Sequence, residues 1–282
     1  MTLRVLANHA HVFPESINPK GTIPRLLQLM DACGIEQAVC FAPFSHQVEG
    51  TDVDPVAWMA NEIRTNPRLL GFGTIDPRRS DLRQQVARCA ELGMKGLKLH
   101  PNAQRFDILS PALRDVYDEA QRRKLFLTFH TGVHRARLLE TQVIRFDEIA
   151  WDFPDLRFSL EHVGGYHFFH EATAVIFNHL PPPWEKGKCN VFAGLTSVFT
   201  TNYNRFWHLS DDQLRELKAQ VGVQQMIFGL DFPYNLEAET RVAMETLARV
   251  FSPEEQSLIL GGNLHRELGI SLLSHSDGRG SG

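Results

Sequence analysis

A chain of 282 residues with 43% hydrophobic and 22% charged residues can bury a sizeable core, which excludes a disordered or fibrous protein. A formal charge of -4 with neutral histidines, and no long Lys/Arg block, argue against a nucleic-acid or anionic-membrane surface and for a small-molecule partner. Four scattered cysteines (Cys33, Cys40, Cys89, Cys189) lack CxxC spacing, and there is no signal-peptide h-region and no apolar run near the roughly 20 residues of a membrane span, so a cytoplasmic location is expected.

In chain order, short runs rich in Val, Leu, Ile and Phe recur at LRVLANHA, QAVCFAP, LGFGTID, KGLKLHP, LFLTFHTG, RFSLEHVGG, NVFAGLTS and QQMIFGLDF. Between them lie helically spaced segments such as PRLLQLMDACG, LRQQVARCAELG and DQLRELKAQVG, the last with a Ser210 start and a Gly222 stop. Strict alternation of strands and helices, with strands apolar enough to be covered on both faces, predicts a parallel sheet, and eight units predict a single (β/α)8 barrel with its site at the C-terminal strand ends. Residues 1–272 are expected to form one catalytic domain, and residues 273–282, ending in SHSDGRGSG, a disordered tail. Loops 12–22, 43–53, 101–110 and 196–209 follow strand ends and so belong to the site rim. PPPWEKGK, at 181–188, falls on the opposite rim and reads as structural or as a homo-oligomer contact.

Asn8-His9-Ala10-His11 ends the first run, and residues i and i+2 of a strand share a face, so His9 and His11 can converge on one ion. The fifth run ends in His130, the sixth in Glu161-His162-Val163-Gly164-Gly165 and the eighth in Asp231. In a parallel barrel these ends share one rim, so residues far apart in sequence meet around its axis. Neutral imidazoles and a carboxylate suit a divalent ion: zinc, or manganese, iron or cobalt in its place. Strand alternation turns Glu161 away from His162, toward the helix layer.

The phrases GLKLHP, FHTG, EHVGG and GLDFP, with GGNLHREL near the end, resemble the successive signatures of the amidohydrolase-related branch of the amidohydrolase superfamily, over residues 4 to 270. The resemblance implies one divalent metal held by His9, His11, His130 and Asp231. It implies that His162 stays off the metal to orient water or transfer protons, and that Asp231 also shuttles a proton. Lys98 then stabilises charge or faces substrate; as a carbamate it would instead bridge a second metal.

Around this core, Lys98, His100, Arg135, Arg137, Phe199 and Tyr203 are candidate substrate contacts: guanidinium grips carboxylates, and Phe199, Tyr203, Phe206 and Trp207 could wall a flat substrate. His100 could equally cap the following turn, RAR could begin a solvated helix, and the rings could pack under their loop. The expected activity is metal-dependent hydrolysis of a small ester, lactone or amide. The alternatives are decarboxylation or hydration of an aromatic or unsaturated acid, which use the same ligands, and a non-catalytic metal-binding barrel.

Overall fold

The computed structural model describes residues 4–201 and 205–270, so Tyr203 and the 273–282 tail lie outside the described residues. All eight expected strands form: β1 (Leu6–His11), β2 (Gln37–Phe41), β3 (Leu69–Gly73), β4 (Gly96–Leu99), β5 (Phe126–His130), β6 (Phe158–Glu161), β7 (Val191–Thr196) and β8 (Met226–Phe232). Each pairs in parallel with the next, and β8 closes on β1, giving a (β/α)8 barrel.

Helices cross between strands on the outside, as the periodicity predicts. Asp211–Val221 begins at Ser210, whose side chain accepts from the Gln213 backbone N–H, and ends at Gly222 with φ 78°. Asp54 caps Pro55–Arg64 by accepting from Val56 and Ala57; such caps satisfy the first free N–H groups of a helix.

Alternation along the strands divides the core in two. Leu97 and Leu99 of β4, Leu127 and Phe129 of β5 and Leu160 of β6 face the helices. Leu6, Val39, Phe41, Phe72, Phe126, Phe192 and Ile227 fill the barrel interior, and Leu264 joins them from the closing helix Asn263–Leu268. Above this apolar plug the inward residues turn polar: Asn8, Lys98, Thr128, Ser159, Glu161 and Thr196 are all fully buried.

Several βα loops rise over that polar layer. Loop 101–110 begins with a one-turn helix, Pro101–Gln104. The loop from Thr131 to Arg145 includes short 3-10 turns. The 181–188 segment lies between helix Gly165–Asn178 and the start of β7, with Trp184 exposed. None of the described helices is long and apolar enough to cross a membrane.

Candidate metal centre

Simple alternation does not by itself turn His9 and His11 inward. Leu6 and Asn8 face the barrel interior, a parity that would aim Ala10 inward and both histidines out. A register shift between Ala7 and Ala10, with His9 at φ 70°, inserts one residue and reverses the parity. Asn8, His9 and His11 then all face the interior, while Ala10 joins the outer core.

His162, Ser197 and Asp231 also have positive φ, at 63°, 56° and 60°. Each such non-glycine conformation costs on the order of 1–3 kcal/mol, so its recurrence at four strand ends marks a site where side-chain direction outweighs local stability. The turn at His162 lets consecutive residues Glu161 and His162 both reach the centre. Glu161 does not face the helix layer: with Leu160 in the outer core, alternation already turns it inward, and it is fully buried inside the barrel.

Four donors saturate its carboxylate. Oε1 accepts from Asn8 Nδ2 at 3.0 Å and Ser159 Oγ at 2.5 Å; Oε2 accepts from Thr196 Oγ1 at 2.5 Å and His9 Nδ1 at 2.8 Å. Gly194 makes room for it, since a Cβ there would lie 2.5 Å from the carboxylate. Burial pushes the Glu161 pKa up, opposed by Lys98 and by these donors. With Nδ1–H donated to Glu161, neutral His9 turns its Nε2 lone pair toward Asp231, whose Oδ1 lies 3.4 Å away.

His130 is set by a second chain of bonds. The Thr196 carbonyl can only accept, so His162 Nδ1 donates to it at 2.7 Å and His162 Nε2 keeps a lone pair. That lone pair accepts from His130 Nδ1 at 3.1 Å. His130 Nε2 is left as a lone pair, buried and without a partner among the described residues. Thr196 thus serves both networks, by its hydroxyl through Glu161 and by its carbonyl through His162.

Asp231 completes the set. Its Oδ2 accepts from Ser197 Oγ at 2.5 Å, Ser197 in turn accepts from Asn235 Nδ2 at 2.9 Å, and Oδ1 lies 3.7 Å from His11 Nε2. Burial raises the Asp231 pKa and lowers those of His9, His11 and His130, keeping the imidazoles neutral at pH 7. Lys98 lies beneath, its Nζ 3.3 Å from His9 Nε2 and 5.1 Å from the Phe41 ring centre. Burial lowers its pKa while Glu161 and Asp231 raise it.

The residues fit a divalent ion. His9, His11 and Asp231 bring ligand atoms within 4.8 Å of one another. The unpartnered His130 Nε2 is the kind of buried atom that a ligand satisfies. His130 also lies with His100 and His134 in a second trio whose ligand atoms are within 4.8 Å of one another.

Over the centre lies a cavity of about 680 Å³, lined by His9, His11, His100, His130, His162 and Asp231 at its base. Phe44, Trp207 and Tyr234 form its aromatic wall, and Trp207 stacks on His162 at 4.0 Å. Asn18, Lys20 and Gln47 add polar groups, Lys20 being the single Lys or Arg among the described lining residues.

The peripheral candidates divide. His100 reaches the cavity and also caps Pro101–Gln104, so both of its sequence readings meet in one residue. Arg135 and Arg137 are exposed and are not among the lining residues. Phe199 turns outward and packs near Phe228, with ring centres 6.4 Å apart, leaving Trp207 as the ring in the wall from the described part of that loop. Asn8, Ser159, Thr196 and Ser197 are site residues that the motifs do not mark, although the hydroxyls of Thr196 and Ser197 stand at a C-terminal strand end as His130 does.

A family model described as amidohydrolase matches residues 9–270. The fold resembles 5-carboxyvanillate decarboxylase from Sphingomonas paucimobilis, at 18% identity and TM-score 0.68, covering 96% of this chain and 100% of that one. A putative 2-pyrone-4,6-dicarboxylic acid hydrolase from Pseudomonas putida gives the same identity, coverage and score. Dihydroxybenzoic acid decarboxylase from Polaromonas sp. JS666, solved with bound manganese and an inhibitor, is 15% identical with TM-score 0.68, covering 95% and 97% of the two chains. No curated protein matches the sequence.

Proposed function

Because this chain belongs to the amidohydrolase family, we propose that it is a metal-dependent hydrolase of small, uncharged esters, lactones or amides, with His9, His11, His130 and Asp231 as ligands. The observation that carries this reading is the base of the cavity: buried, neutral imidazole lone pairs converge beside a carboxylate whose pKa burial has raised. A divalent ion held there, zinc or alternatively manganese, iron or cobalt, supplies a Lewis acid for the attacked carbonyl and for water.

The chain's own residues do the rest. Asp231 accepts a proton from the attacking water at its carboxylate and returns it to the leaving group. Burial lowers the His162 pKa to about 3, and both of its nitrogens are committed, so we assign it the orientation of His130 rather than proton delivery. Lys98 offsets the buried Glu161 and Asp231 charges. Phe44, Trp207 and Tyr234 exclude water and select a flat substrate. Four free cysteines, three of them buried, accord with a reducing cytoplasm.

The same aromatic wall favours a second reading, decarboxylation of an aromatic acid, the activity of the similar decarboxylases from Sphingomonas paucimobilis and Polaromonas sp. JS666. A lining with Lys20 as its one described cation offers no guanidinium clamp for a carboxylate, which favours hydrolysis. The test is to incubate the metal-loaded protein with lactones, esters, amides and aromatic carboxylates while recording acid production and carbon dioxide separately. Acid from an uncharged carbonyl substrate is expected; carbon dioxide from a carboxylate would replace hydrolase with lyase.

A further inference from the structure

We propose that His100 is a fixed hydrogen-bond donor to the substrate's carbonyl oxygen, presenting Nε2–H to the cavity beside the Nε2 lone pair of His130. Ring chemistry and anchoring carry the inference. Nδ1 of His100 accepts from the Ala103 backbone N–H at 3.3 Å. A backbone N–H can only donate, so the lone pair of neutral His100 is at Nδ1 and its hydrogen is at Nε2.

The ring is held on several sides. The His100 backbone N–H donates to Gln104 Oε1 at 2.8 Å, and Gln104 Nε2 donates to the Ile75 carbonyl at 2.7 Å. One face stacks on His130, with centroids 3.8 Å apart and planes 10° apart, and Phe44 meets the ring edge-on at 6.2 Å. His100 lines the cavity, and with Nδ1 engaged by the turn, Nε2–H is the polar edge left to serve it.

The two stacked rings therefore offer opposite chemistry to one space. His130 supplies a lone pair, suited to an ion, and His100 supplies a hydrogen, suited to an oxygen gathering negative charge. The same bond argues against reading His100, His130 and His134 as a second metal trio, because the one lone pair of His100 is already used. Only the identity of the oxygen, a carbonyl under attack, rests on the hydrolase reading.

The test uses the full-length, zinc-loaded chain with 15N-labelled histidine. Two-bond 1H–15N correlations are expected to show His100 as the Nε2–H tautomer. Adding 2-tetralone, a ketone that cannot be hydrolysed, should shift the His100 Nε2 resonance. The infrared carbonyl band of bound 2-tetralone should move to lower frequency and return toward its free position in His100→Asn. Asparagine keeps an N-cap acceptor, so that variant should retain one zinc per chain and the wild-type Tm.

An Nδ1–H tautomer, a His100 resonance that 2-tetralone does not move, or a carbonyl band unchanged in His100→Asn each overturns the proposal. So does coordination of His100 by a second equivalent of zinc. If the carbon dioxide assay identifies a lyase while His100 keeps its tautomer and its response to 2-tetralone, the hydrolase reading fails and this one stands.

Discussion

His130 Nδ1 lies 3.1 Å from His162 Nε2, and this contact decides which end of the His130 ring is free. Because His162 is pinned to the Thr196 carbonyl, it can only accept from His130, and His130 must turn its lone pair toward the cavity. Partners of this kind fix the tautomer and orientation of a ligating histidine.

His162→Ala should therefore weaken metal binding by about 10–100-fold, the range for losing a partner that orients a ligand. Competition against a chelator of known affinity measures it. Metal affinity equal to wild type, with turnover lost, would return His162 to the proton-transfer role that the family resemblance implies.

Glu161→Gln removes the charge that accepts from His9 Nδ1, Thr196, Ser159 and Asn8. The amide still fits beside Gly194 but offers an NH₂ to donors already aimed at it. A loss of metal affinity of about 10–100-fold is expected, with a lower Tm because a buried network is left partly unsatisfied. An unchanged affinity would show that His9 does not depend on this carboxylate.

The barrel was legible because each strand carries its own apolar run and each helix its own period, so the closed sheet with β1 beside β8 follows from counting units. His9, His11, His130, His162 and Asp231 were legible as strand-end residues. The local backbone was not. With Leu160 in the outer core, alternation puts Glu161 inside and His162 outside, and the left-handed turn at His162 brings that ring inward as well; likewise a bulge, invisible in LANHAH, turns His9 and His11 to the interior. Thr196 and Ser197 were not legible because hydroxyls are common in strands, and their importance arises from the Glu161 and Asp231 carboxylates across the barrel. Arg135 and Phe199 show the converse limit: a position on a rim loop does not fix which way a side chain turns.

Acid should unfold the metal-free chain early. His9, His11, His100, His130 and His162 have pKa values lowered by burial, so below pH 6.5 the unfolded chain takes up protons on them that the folded chain refuses. For a base with a lowered folded pKa, the stabilisation is complete above the unfolded value and is lost as pH falls. Asp231 and Glu161, with raised pKa values, act in the opposite direction and offset part of this. Each proton of net uptake corresponds to about 1.4 kcal/mol of lost stability per pH unit. Urea unfolding of metal-free protein at pH 7.5, 6.0 and 5.0 should show this decline; a constant midpoint would mean that these imidazoles are not buried and neutral.

The most direct test of the metal centre is anomalous diffraction at the zinc edge from crystals of the full-length chain loaded with one equivalent of zinc. One peak is expected, bounded by His9 Nε2, His11, His130 Nε2 and an Asp231 oxygen, with Glu161 and His162 outside the coordination sphere. A peak centred on His100 and His134, or no peak within the barrel, would contradict the account.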